Sequence, residues 1–161
     1  MPHGSQYRHY IRRIDGSYGD NINWVDIEDS YDGLIYLSAK GLNDIGKSKN
    51  IYTEEYADSD RKRVYLPPSD ADYANEGTVV EMRFVVVGDE ISRSNTINNF
   101  CDEIRHGVHS YYDTARYREF DFIVTDEINV SDERWHGSQP YVELTIRMQN
   151  LNGKTMPVHS N

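Results

Sequence analysis

Apolar and polar positions alternate most clearly over Thr78–Val87, where Val80, Met82, Phe84 and Val86 fall on one face and Val79, Glu81, Arg83, Val85 and Val87 on the other. Strict alternation of this kind predicts a strand with one buried face. A second alternating run covers residues 141–149, with Val142, Leu144, Ile146 and Met148 set against Glu143, Thr145, Arg147 and Gln149. It predicts a half-solvated antiparallel strand. Between the two runs the period changes. Ile97, Phe100, Cys101 and Ile104 recur at helical spacing, so a helix is expected from an N-cap at Ser92 or Ser94 to about Arg105, with Gly107 closing it.

The remaining pattern completes a β-rich chain. Residues 22–37 predict two strands around the turn-forming residues 29–33. Residues 108–113 and 117–128 predict two more, joined by a short connection at 114–116, and residues 132–139 form a turn-rich link to the last strand. Residues 41–74 are charged, contain Pro67-Pro68 and show little periodicity, which predicts a long loop. Residues 1–20 carry Gly4, Gly16 and Gly19 with one short patterned stretch at 7–11, and are expected to be an arm, either a segment that orders against a partner or a frayed terminus. The expected organisation is an arm (1–20), one β domain (21–150) and a tail (151–161). With no repeated strand-helix unit, the fold class is α+β and mainly β: two packed antiparallel sheets, or a split barrel, with one flanking α-helix.

Composition sharpens this picture. A chain of 161 residues is of single-domain size, and its formal net charge of -10, spread along the sequence, supplies no basic stripe for sustained nucleic-acid binding. The dense basic spot at Arg61, Lys62 and Arg63 is offset by Asp58 and Asp60 and reads as a solvated loop. Thirteen tyrosines against four phenylalanines favour surfaces on which one end of a ring is packed and the other wet, as at subunit contacts. A single cysteine, Cys101, excludes an internal disulfide, and its place on the apolar side of the predicted helix implies a raised pKa and an inert thiol. No apolar run approaches the length of a membrane span, and the first ten residues lack the apolar core of a signal peptide, so cytoplasm-like conditions are expected.

One motif carries candidate chemistry. Residues 41–48, with Gly41, Gly46, Lys47 and Ser48 at the fixed positions, match the phosphate-loop template, and Asp126 or Glu127 after the apolar Phe122, Ile123 and Val124 would suit a magnesium ligand. Against that reading, a loop that wraps phosphate with its backbone N–H groups favours small residues, whereas this one holds Leu42, Asn43, Asp44 and Ile45. Such a loop also belongs between a parallel strand and a helix, and the rest of the chain predicts hairpins. Among six histidines only His106 and His109, three apart across a glycine, approach the spacing of a zinc site, and structural or surface roles are the expected ones. No nucleophile elbow is present, so no catalytic residue, metal or cofactor is expected.

The order of these segments resembles a known family. The stretch from Trp24 to Leu37, the charged segments at 53–56 and 60–64, the strand Thr78–Val87, the helix ending near Gly107 and the late β pair look like a bacteriophage tail protein. They are most similar to the N-terminal domain of distal tail proteins and the related tail-tube family, over about residues 20–150. The resemblance implies two packed β-sheets or a split barrel with a flanking helix, and six copies in a ring around the channel through which DNA leaves the virion. It implies a structural virion protein, assembled in the host cytoplasm, whose partners are copies of itself and neighbouring tube, tip or baseplate proteins. Two other function classes are a small P-loop nucleotide-binding protein using residues 41–48 and a host-glycan-binding adhesion module.

Overall fold

The structure is a computed structural model that describes residues 8–14, 24–42, 44, 52–54, 63–65, 77–114 and 118–152. Its spine is the pair β6 (Thr78–Val87) and β11 (Gln139–Asn150), antiparallel over ten register positions from Tyr141 opposite Val87 to Asn150 opposite Thr78. This register sets Leu144 against Phe84 and Ile146 against Met82, so the apolar halves of both alternating patterns fall on one face and are buried. The other face carries charge pairs across the strands: Arg83 to Glu143 at 2.9 Å, Arg134 to Glu143 at 3.2 Å and Arg147 to Glu81 at 3.8 Å. Each of these surface pairs contributes little, and together they keep that face wet.

Every described strand pair is antiparallel. The main sheet runs β2 (Val25–Asp26), β1 (His9–Arg13), β7 (His109–Asp113), β8 (Arg118–Ile123), β11, β6 and β3 (Leu34–Lys40), with the short strands β9 (Asn129–Val130) and β10 (Arg134–His136) also paired to β11. Two lobes meet where β8 and β11 share only two register pairs, Gln149 with Ile123 and Asn150 with Phe122. Both lobes feed one core: Ile11, Tyr111, Phe120 and Phe122 come from the first, and Leu34 with the β6 and β11 residues from the second. The sheet curls until β1 and β3, far apart in strand order, touch. His9 stacks on Tyr36 with ring centroids 3.7 Å apart and also meets the Tyr111 hydroxyl at 2.7 Å. The mainly β fold with a flanking helix is the class that the alternation predicts.

The helix α2 (Glu90–Arg105) is capped by Asp89, whose carboxylate accepts from Ser92 N at 2.8 Å, rather than by Ser92 or Ser94. That hydrogen bond holds the Asp89 carboxyl below its usual pKa. Gly107, at φ +88, follows the C-cap as expected. Phe100 and Ile104 are the helix's fully buried apolar residues, and Phe100 packs edge-on against both Phe84 and Tyr31. The buried stripe also includes Thr96 and Arg93, because Thr96 Oγ1 donates to the Asp32 carbonyl and Arg93 pairs with Glu133.

Three local expectations are corrected. Residues 9–13 lie inside the predicted arm, yet they form β1, paired on both edges, because His9 and Ile11 point into the core. Residues 25–37 do not make a hairpin. A one-turn helix, α1 (Ile27–Ser30), capped by Asp26, carries Ile27 into the core and sends β2 to β1 and β3 to β6. Within the predicted loop 41–74, β4 (Tyr52–Glu54) and β5 (Arg63–Tyr65) pair as a separate two-stranded sheet.

Candidate functional site

The N-terminal end of β11 extends past the core as a hairpin with β10. His136 stands opposite Gln139 around a two-residue turn, and Gly137 supplies the left-handed φ of +60 that such a turn requires. Residues directly opposite in an antiparallel pair share a face. Leu144 and Val142 face the core, so Val130, opposite Leu144, and Trp135, opposite Pro140, lie on the same side of the sheet. The core stops short of them. Val130 remains 49% exposed and Trp135 62% exposed.

The base of this hairpin is fixed. Ser131 donates its backbone N–H to the Glu143 carbonyl at 2.9 Å, and its hydroxyl accepts from Glu143 N at 2.8 Å. Glu133 holds the nearly buried Arg93 guanidinium of α2. Two residues before Arg93, on the first turn of the helix, Ile91 is 76% exposed. An indole ordinarily buries a large apolar area, and at about 25 cal/mol per Å² a ring left in water forgoes a stabilisation of a few kcal/mol. Trp135 is therefore an apolar group presented on a firm support with no covering element among the described residues.

The phosphate-loop motif is placed only in part. Gly41, at φ +92, follows β3 where a Cβ would collide with the Val79 carbonyl oxygen, and Leu42 is buried in the core. Asp44 N–H donates to the Gly41 carbonyl at 3.2 Å. Gly46, Lys47 and Ser48 lie outside the described residues. The strand leading into the motif runs antiparallel to its neighbour, unlike the parallel strand that precedes a phosphate loop. The acidic candidates Asp126 and Glu127 follow β8 and are exposed.

The remaining chemistry-bearing residues are dispersed through the fold. His9 is buried between Tyr36 and Tyr111, and His109 is buried with Nε2 3.2 Å from Glu103 Oε1. His106 contacts the Asp102 carbonyl at the helix end, and His136 is exposed at the hairpin; His3 and His159 lie outside the described residues. Among the described residues no three His, Cys, Asp or Glu side chains converge for a metal ion. Burial first, and then the neighbouring Asp102, push the Cys101 thiol up to about 11. Trp135 is the residue that pattern reading overlooks. Its signal is the Gly137-Ser138 pair between a short polar run and an alternating strand, which is a two-residue hairpin signature.

Several solved chains match this one in fold, one of them from a phage baseplate. A chain of the phage p2 baseplate in its activated conformation with Sr matches at 11% identity and a TM-score of 0.49, over 91% of this chain and 44% of that one. The present chain thus spans less than half of the baseplate chain. No family model matches the sequence, and no curated protein matches it.

Proposed function

We propose that the protein is a structural subunit of a phage tail, which forms a ring, hexameric as the family resemblance implies, around the DNA channel between tail tube and tip or baseplate. Its partners in this reading are copies of itself and adjacent tail proteins, and it performs no catalysis. The mainly β fold with a single long flanking helix is of the kind that the resemblance implies. The observation that carries the assembly half of the proposal is the uncovered apolar side of the β10–β11 hairpin, where Trp135 stands 62% exposed on a fixed base. Interfaces are centred on aromatic side chains of this sort. The net charge of -10 suits a channel along which DNA slides without adhering.

Native mass spectrometry and sedimentation of the purified chain test the proposal. The wild-type chain is expected to form a closed species of several copies, and Trp135→Glu is expected to remain monomeric with an unchanged unfolding transition. A wild-type chain that stays monomeric at every concentration, alone and with tail-tube protein, overturns it.

A further inference from the structure

A second region of the molecule, remote from the hairpin's apolar side, has the character of a ligand site. Between the C-terminal half of α2 and the strand β1 lie two adjoining hollows, of about 350 Å³ and about 200 Å³, that share Arg13 and Glu103. One wall is a polar stripe on α2: Asn99, Asp102, Glu103 and His106 stand at i, i+3, i+4 and i+7 and so lie on one helix face. Arg13 faces them from the end of β1 and donates to the His106 carbonyl. The floor is apolar, with Ile11 and Val25 beside the Tyr31 ring.

The mixture of charges selects among ligand classes. A small anion placed here meets Asp102 and Glu103, and a small cation meets Arg13. A neutral molecule with several hydroxyls avoids both conflicts, because each hydroxyl donates to a carboxylate and accepts from a guanidinium or amide N–H. Such a molecule also presents C–H groups to an apolar floor. Tyr31 adds a hydroxyl that, like any tyrosine's, is protonated at neutral pH; burial, and then the charge of Glu103, push its pKa further up, to about 12. The larger hollow falls at the small end of ligand pockets, which span about 300–1,000 Å³.

We propose that the cleft between α2 and β1, walled by Asn99, Asp102, Glu103 and Arg13, binds a neutral sugar. The proposal stands apart from the assembly reading and does not depend on it. Saturation-transfer difference NMR on the full purified chain, with glucose, galactose, N-acetylglucosamine and rhamnose as separate probes and acetate and guanidinium as charged controls, provides the test. At least one of the sugars is expected to receive saturation with a Kd of about 1 mM. Asp102→Ala and Asn99→Ala remove exposed helix side chains without touching the core, and each is expected to weaken that binding at least about tenfold, equivalent to about 1.4 kcal/mol. Their unfolding transitions should match the wild type. Lack of transfer to all four sugars, transfer that both variants leave unchanged, or preferential binding of acetate or guanidinium overturns the assignment.

Discussion

Phe84 shows how much depends on single side chains. It is fully buried and meets the rings of Tyr36 and Phe100, which belong to β3 and α2. Phe84→Ala is expected to cost about 3–5 kcal/mol, measured as a lower urea midpoint, because the void lies where three elements meet. Cys101 and Tyr31 give a pH signature. Both keep their protons more tightly in the folded chain, at about 11 and about 12, than at their ordinary values of 9.0 and 10.0. Their contribution to stability is complete below pH 9 and is lost as pH rises through 11 and 12, so the urea midpoint should fall over that interval. The Cys101 thiol should also react with a disulfide reagent far more slowly in the native than in the denatured chain. At this scale the alternating residues of β6 and β11 were legible, since a period of two needs no knowledge of distant partners. Arg93 and Thr96 were not. Their burial depends on Glu133 and on the Asp32 carbonyl, far away in sequence, and a helical spacing rule that admits only apolar residues passes over them.

Among the elements, α2 and β6 were legible because each is long and strongly patterned. The strand β1 was not, since its five residues, HYIRR, contain one aliphatic side chain and its inward face is completed by the aromatic partners Tyr111 and Tyr36. The cap of α2 was misplaced for a local reason: Asp89, Ser92 and Ser94 are all good capping types, and only the backbone shows that Asp89 accepts from Ser92 N. Asp89→Ala removes the cap and is expected to lower the midpoint of thermal unfolding by about 2–4 °C. A larger loss is expected at the turn into β3. Gly33 sits at φ +81, its carbonyl accepts from Val87 N at 2.9 Å, and a Cβ there would collide with the Val87 carbonyl oxygen. Gly33→Ala should therefore lower the thermal midpoint more than Asp89→Ala does. The two lesions can be ranked by differential scanning calorimetry.

For the whole molecule, the fold class followed from the order of the patterns, whereas the candidate surfaces did not. The α2–β1 cleft joins residues far apart in sequence, such as Arg13 and His106, and the bareness of Trp135 depends on where the core ends. The phosphate-loop match is a resemblance of letters whose strand context is antiparallel. Titration with ATP and magnesium is accordingly expected to show no saturable binding, and Lys47→Ala no change in stability or assembly. The β6–β11 ladder has a mechanical consequence. A pull on the exposed hairpin, directed along β11, loads all ten register pairs with β6 in shear at once, instead of peeling them apart in turn. A chain gripped at that tip would therefore act as a stiff strut, passing axial force along the β6–β11 pair with little stretch.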